Sequence, residues 1–99
     1  MFLSISRFRV GNDLEGAVRD AFLARPHRVD EAAGFVRMEV ANPSDDPAEF
    51  WLFTWWVDQA SFRAWHKSHA YRDSHAGIPK GLRLDPTRTW QGQFDVFAT

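Results

Sequence analysis

The chain has 99 residues, a formal net charge of −1, 44% hydrophobic and 25% charged residues, and no cysteine. That suits one domain spanning residues 1–99 and not two. It also lacks the basic excess of a general nucleic-acid binder and the thiols that disulfides, thiolate nucleophiles and Cys-ligated zinc need. No apolar run approaches the roughly 18 residues that cross a bilayer. MFLSISRFRV has no charged stretch ahead of an apolar one, so no signal peptide is expected and the cytoplasm is the default location.

Phe2 to Val10 reads as a strand that Gly11 ends. One face carries Phe2, Ser4, Ser6, Phe8 and Val10, and the other Leu3, Ile5, Arg7 and Arg9. Asn12 followed by Glu15 has capping-box spacing and predicts a helix start. Leu14, Val18, Ala21, Phe22 and Arg25 continue it at helical spacing. Pro26 interrupts it, because proline lacks an N–H and clashes with the preceding turn. Helical structure is expected to resume to about Ala32.

Gly34 opens a second strand, Phe35 to Ala41, and residues 42–47 (NPSDDP) form a hairpin loop. Phe50 to Val57 is the third strand. Asp58 is an N-cap for a helix from Gln59 to about Lys67, and Ser68 for a second short piece, His69 to His75. Gly77, Pro79 and Gly81 mark a loop, and the last strand runs from about Thr89 to Phe97. The order β-α-β-β-α-β predicts an α+β, ferredoxin-like fold with a four-stranded antiparallel sheet and both helices on one face.

Two features stand out from this frame. Eight of the 15 aromatic residues lie between Phe50 and Tyr71, and the third strand is apolar on both faces. A solvated sheet face alternates with polar residues, so a large apolar patch here predicts that two chains pack sheet to sheet as a homodimer. Charge is also uneven. From Glu39 to Phe50 there are four acids and no Lys or Arg; from His66 to Arg88 there are five bases against two acids. The second stretch either attracts an anionic ligand or is a solvated basic surface.

Candidate chemistry is sparse. His66, His69 and Asp73 lack a strong metal spacing, and no dedicated metal site is expected from them. Phe62, Trp65 and His69 form a stripe at helical spacing, which reads as core packing or as one wall of a flat cavity. His75, before Ala76 and Gly77, has the chemistry of a haem ligand or general base. Ser4 and Ser6 place two hydroxyls on an otherwise apolar strand face, where they either bond a ligand or satisfy local backbone.

The opening strand, AAGFVRMEV at 32–40 and FTWWVDQASFRAWHKSHAYRDSHAG at 53–77 together resemble the antibiotic biosynthesis monooxygenase (ABM) family of dimeric α/β barrels. The order Trp56, Phe62, Trp65, Ser68 is similar to the family's. The non-canonical haem-degrading branch is closest in motif. Its pocket has an Asn on the first strand, a Trp on the second helix and a proximal His about ten residues later; Ser6, Trp65 and His75 fall at those positions. The resemblance implies Ser6, Trp65 and His75 as catalytic residues, His75 as the haem-iron ligand if haem binds, and Phe22 and Trp65 as substrate walls. It implies a monooxygenase acting on a flat, hydrophobic, conjugated molecule, with haem the first candidate. It leaves open a cofactor-independent oxygenase of phenolic or quinol substrates, and a non-catalytic dimeric binder of a small aromatic ligand.

Overall fold

A computed structural model of the chain describes residues 1–68, 71 and 78–99. Four strands form one antiparallel sheet in the order β2-β3-β1-β4, with β1 at Phe2–Arg9, β2 at Phe35–Ala41, β3 at Glu49–Trp56 and β4 at Trp90–Asp95. Helices α1 (Glu15–Leu23) and α2 (Gln59–His66) cover one face. This is the ferredoxin-like α+β arrangement that the element order predicts.

Alternation along each strand sorts the side chains between the two faces. On the helix side, Phe2, Ser4, Ser6 and Phe8 stand opposite Trp56, Thr54, Leu52 and Phe50. The core there has two centres. Phe2, Val29, Trp56 and Phe62 form one, with Trp65 packed against it; Val10, Val18 and Phe50 form the other, joined by Phe8 and Phe22. Trp56 is 0% exposed. Its indole N–H donates to Thr54 Oγ1 at 3.0 Å, two residues back on the same face. Trp51 repeats the device on the other face, donating to Glu49 Oε2 at 3.0 Å. Two of the three β3 indoles thus find an acceptor within their own strand, which satisfies N–H groups that burial would otherwise leave unpaired.

Among the described residues, no helix covers the second sheet face. Trp51, Phe53 and Trp55 stack along β3 at centroid spacings of 6.2 and 5.9 Å. The Arg7 guanidinium lies 5.4 Å from the Trp51 ring and that of Arg37 lies 4.0 Å from Trp55. Trp90 and Phe94 extend the aromatic surface on β4. The tryptophans therefore serve mainly two sheet faces. Among the described residues, no helix is long and apolar enough to cross a membrane.

Several boundaries differ from the sequence reading. Asn12 does not cap α1, whose first turn starts beyond Leu14 with no side-chain cap. Its amide instead donates to Gly81 O at 2.7 Å, and its carbonyl accepts from Arg83 N–H at 3.2 Å. The same residue type suits either job, and the long-range partner wins here. It helps hold the 81–85 segment along the end of β1, where Gly11 N–H donates to Arg83 O and Asp85 N–H to Arg9 O. The helix ends at Leu23, before Pro26, and a 3-10 turn at Arg28–Glu31 follows. β3 starts one residue earlier than expected, at Glu49. A 3-10 turn at Pro86–Arg88, capped by Asp85, precedes a β4 that stops at Asp95. Phe97 is 98% exposed beyond it.

Two expected caps form. Asp58 accepts from Ser61 N–H at 2.8 Å, and Ser68 Oγ accepts from Tyr71 N–H at 3.1 Å. The helical piece expected at 69–75, with His69 and His75, lies outside the described residues apart from Tyr71.

Part of the acidic run is neutralised across the fold. Arg9 Nε lies 2.9 Å from Asp46 Oδ2, and Arg88 reaches the buried Glu49 carboxylate at 3.3 Å. The hydrogen bond from Arg9 holds the Asp46 carboxyl below its ordinary value. Those from Ser61 and Thr87 do the same for Asp58 and Asp85.

Candidate functional site

A groove of about 510 Å³ opens on the helix side, between α2 and the β1–β4 half of the sheet. Its origin is legible in the strand pattern. Ser4 and Ser6 are the small residues of an otherwise bulky face, and Gln93 and Gln91 stand beside them in register on β4. Large apolar side chains at these four positions would fill the space. From α2 and its C-terminal cap, Phe62, Arg63, His66 and Lys67 join the lining, with Gly92 between the two glutamines.

Each wall is held in place by bonds outside it. The Asp58 cap starts α2 at a fixed turn. Gln59 Nε2 donates to Gln93 Oε1 at 3.4 Å, joining α2 to β4 at one end. Gly34, at φ +80°, passes so close to α2 that a Cβ there would collide with the Ser61 side chain. Within the groove, the His66 ring stacks 4.6 Å from Phe62 and 4.4 Å from Tyr71, between centroids.

The lining therefore offers hydroxyls, amides, an imidazole and two cations around one phenyl ring. Hydroxyls and amides both donate and accept, so they can orient a phenol or a carbonyl. An imidazole can take up a proton near neutral pH. Among the described residues, no group of three His, Cys, Asp or Glu side chains could hold a metal ion.

The structure separates the residues that the sequence grouped. Ser6 lines the groove. Trp65 does not: it packs on the core cluster of Phe2, Trp56 and Phe62, with Tyr71 edge-on at 6.1 Å. Phe22 lies at the other end of the sheet, 6.4 Å from Phe8 and 6.0 Å from Phe50. Helix α1 directs it there, since Phe22 and Val18 are one turn apart on the same buried stripe. His75 lies outside the described residues. The described lining is chiefly polar, with Phe62 its one large apolar side chain.

Gln91 and Gln93 escaped the sequence reading. Their signal was available: two glutamines at alternate positions of a strand whose neighbours bury phenylalanines. Arg63 was hidden by its position on an exposed helix face, whereas the sequence marks His66 and Lys67 only as a weak metal candidate and as part of the basic stretch.

A two-layer α+β fold with a polar groove beneath one helix has the concave shape that small-molecule sites use. The chain belongs to the antibiotic biosynthesis monooxygenase family, whose model matches residues 1–77. One curated relative is the staphylobilin-producing heme oxygenase of Staphylococcus saprophyticus. It is 33% identical over 55 residues, 54% of this chain and 53% of that protein, so the match spans about half of each. In three dimensions the chain is similar to SnoaB, a cofactor-independent oxygenase from Streptomyces nogalater (TM-score 0.78, 17% identity, 99% of this chain and 94% of that one). It is also similar to the heme-degrader MhuD from Mycobacterium tuberculosis, solved with two hemes in its active site (TM-score 0.74, 22% identity, 100% and 98%). At these identities the structural likenesses establish the fold alone.

Proposed function

We propose that this protein is an ABM-type monooxygenase that oxygenates a flat, conjugated hydroxyaromatic molecule bound in the groove beneath α2. The observation that carries the reading is the set of Ser4, Ser6, Gln91, Gln93 and His66 facing one cavity of about 510 Å³, a size within the usual small-molecule range of about 300–1,000 Å³. The substrate supplies the electrons once it is deprotonated. The protein supplies a base, hydrogen bonds that hold the ring, and walls that limit water. His66 is assigned the proton transfer and the serine and glutamine side chains the orientation. For an anthrone, the ring CH2 becomes C=O; one atom of O2 enters the product and the other leaves as water with the two hydrogens. Support for this metal-free form comes from the fold shared with a cofactor-independent oxygenase.

The test is oxygen uptake with a panel of anthrones and quinols in the presence of a chelator. Consumption stoichiometric with quinone, and lost in His66→Ala, is expected. Tight binding of the panel with no uptake and no product would assign a non-catalytic binder instead.

Haem is the second reading, favoured by the stretch that is 33% identical to a heme oxygenase. In it His75 would hold the iron and Ser6 would stand at the polar edge of the ring, with Phe62 and not Trp65 as the apolar contact in the described lining. Titration with haemin decides it: a Soret band that is absent, or unchanged in His75→Ala, removes that ligation.

We also propose that the molecule is a homodimer through the sheet face opposite the groove. The uncovered surface of Trp51, Phe53, Trp55, Trp90 and Phe94 supports this, as does the pairing typical of the family.

A further inference from the structure

We infer that Arg63 and Lys67 form an anion-binding lip on the groove, and that the ligand carries a carboxylate at the edge of its ring system. This rests on the reading of the groove as the substrate site and adds the chemical class of its ligand. The two cations sit one turn apart on α2 and both line the groove, so a single carboxylate can bridge them.

Three observations argue against an ordinary solvated basic face. First, four arginines elsewhere hold carboxylates, Arg9 with Asp46, Arg25 with Asp30, Arg37 with Glu39 and Arg88 with Glu49, while Arg7 lies over the Trp51 ring and Arg19 donates to Asn42. Arg63 and Lys67 have no carboxylate in ion-pair reach among the described residues. Second, among the described residues the groove lining contains no Asp or Glu. The C-terminal half of a helix favours cations through its dipole, which accounts for their place on α2. It does not account for the lack of any acid on the strands that face them. Third, those strands present serine hydroxyls and glutamine amides, and Gln93 has its carbonyl turned to Gln59, which leaves its NH2 to donate. The surroundings therefore add hydrogen-bond donors to positive charge, and an anion uses both.

The geometry orders the ligand. Its carboxylate lies at the α2 side, its flat body lies against Phe62, and its phenolic or carbonyl edge points at Ser4 and Ser6. Part of the affinity is electrostatic and falls with added salt.

Two matched pairs test this by binding alone. One is 1,8-dihydroxyanthraquinone-3-carboxylate and its 3-hydroxymethyl counterpart; the other is haemin and its dimethyl ester. Dissociation constants are measured at 50 and 500 mM salt for the wild type, the double variant Arg63→Gln/Lys67→Gln and the reversal Arg63→Glu, with circular dichroism to confirm that each is folded. The expected result is at least tenfold preference for the acid in one pair or both. Salt should weaken the preference, the double variant should abolish it, and the reversal should invert it. In the double variant the acid should lose at least tenfold more affinity than its neutral partner. Equal affinity for acid and neutral partner, preference retained in the double variant, or no binding of either acid at low salt overturns the inference. Oxygen uptake is a separate readout: acid preference without turnover keeps the lip and removes the monooxygenase reading.

Discussion

Gln59 and Gln93 meet at 3.4 Å across the end of the groove, one on the first turn of α2 and the other on β4. Both are exposed, so their bond adds little to stability. Its effect falls on the groove, because it fixes which way the Gln93 amide faces. Gln59→Ala should leave the melting temperature nearly unchanged and weaken binding of the hydroxyanthraquinone carboxylate by roughly three- to tenfold, the scale of one hydrogen bond. Calorimetric titration beside a melting curve checks both halves.

Gly34 sets the distance between α2 and the start of β2. Its φ of +80° already disfavours an L side chain, and a Cβ would meet both the Ser61 side chain and Val57 Cγ2, the latter at 2.9 Å. Gly34→Ala should cost about 2–4 kcal/mol. Urea unfolding should show a lowered midpoint with an unchanged slope.

Acid sensitivity follows from Asp46, Asp58 and Asp85, each held below its ordinary value of 3.8 by a hydrogen bond, from Arg9, Ser61 and Thr87 respectively. A carboxyl depressed in the folded state contributes stability that is full above its unfolded value and lost as pH falls through the folded one. Melting temperature should therefore hold level above about pH 5 and decline below pH 4. Arg9→Gln removes the main support of Asp46, so its curve should start lower and fall less steeply on the acid side. Thermal scans from pH 7 to pH 2 read this directly.

The uncovered sheet face should separate under a single charge. Phe53 stacks between Trp51 and Trp55 at the centre of the aromatic row. With a partner on that face, Phe53→Glu buries a carboxylate and the dimer should dissociate at micromolar concentration. Sedimentation velocity should give a dimer for the wild type and a monomer for the variant. A monomeric wild type would remove the pairing.

The element order was readable because the strands are rich in aromatic and β-branched residues and each break carries a turn residue: Gly11, Pro26, Gly34, Pro43 and Asp58. The groove was half readable. Ser4 and Ser6 announce themselves as small residues on a bulky face. Their partners across β4 become meaningful only through register, which pairs Ser6 with Gln91 and Ser4 with Gln93 over a separation of most of the chain. Asn12 shows the converse. Its spacing to Glu15 is a local signal for a helix cap, but the contact that forms is with Gly81 and Arg83, nearly 70 residues away. Trp65 followed the same rule. Helical spacing placed it on one stripe with Phe62, and only packing told that Trp65 turns toward Trp56 while Phe62 reaches the groove.

The placement of the indoles has an optical consequence. None lines the groove, and Trp51, Trp55 and Trp90 lie across the sheet from it. Their emission colour reports whether water reaches that face, whereas an absorbing ligand can dim them only by energy transfer through one layer of backbone. A blue shift on concentrating the protein therefore signals association of chains, and dimming without a shift signals filling of the groove. One cuvette separates the two events without any label.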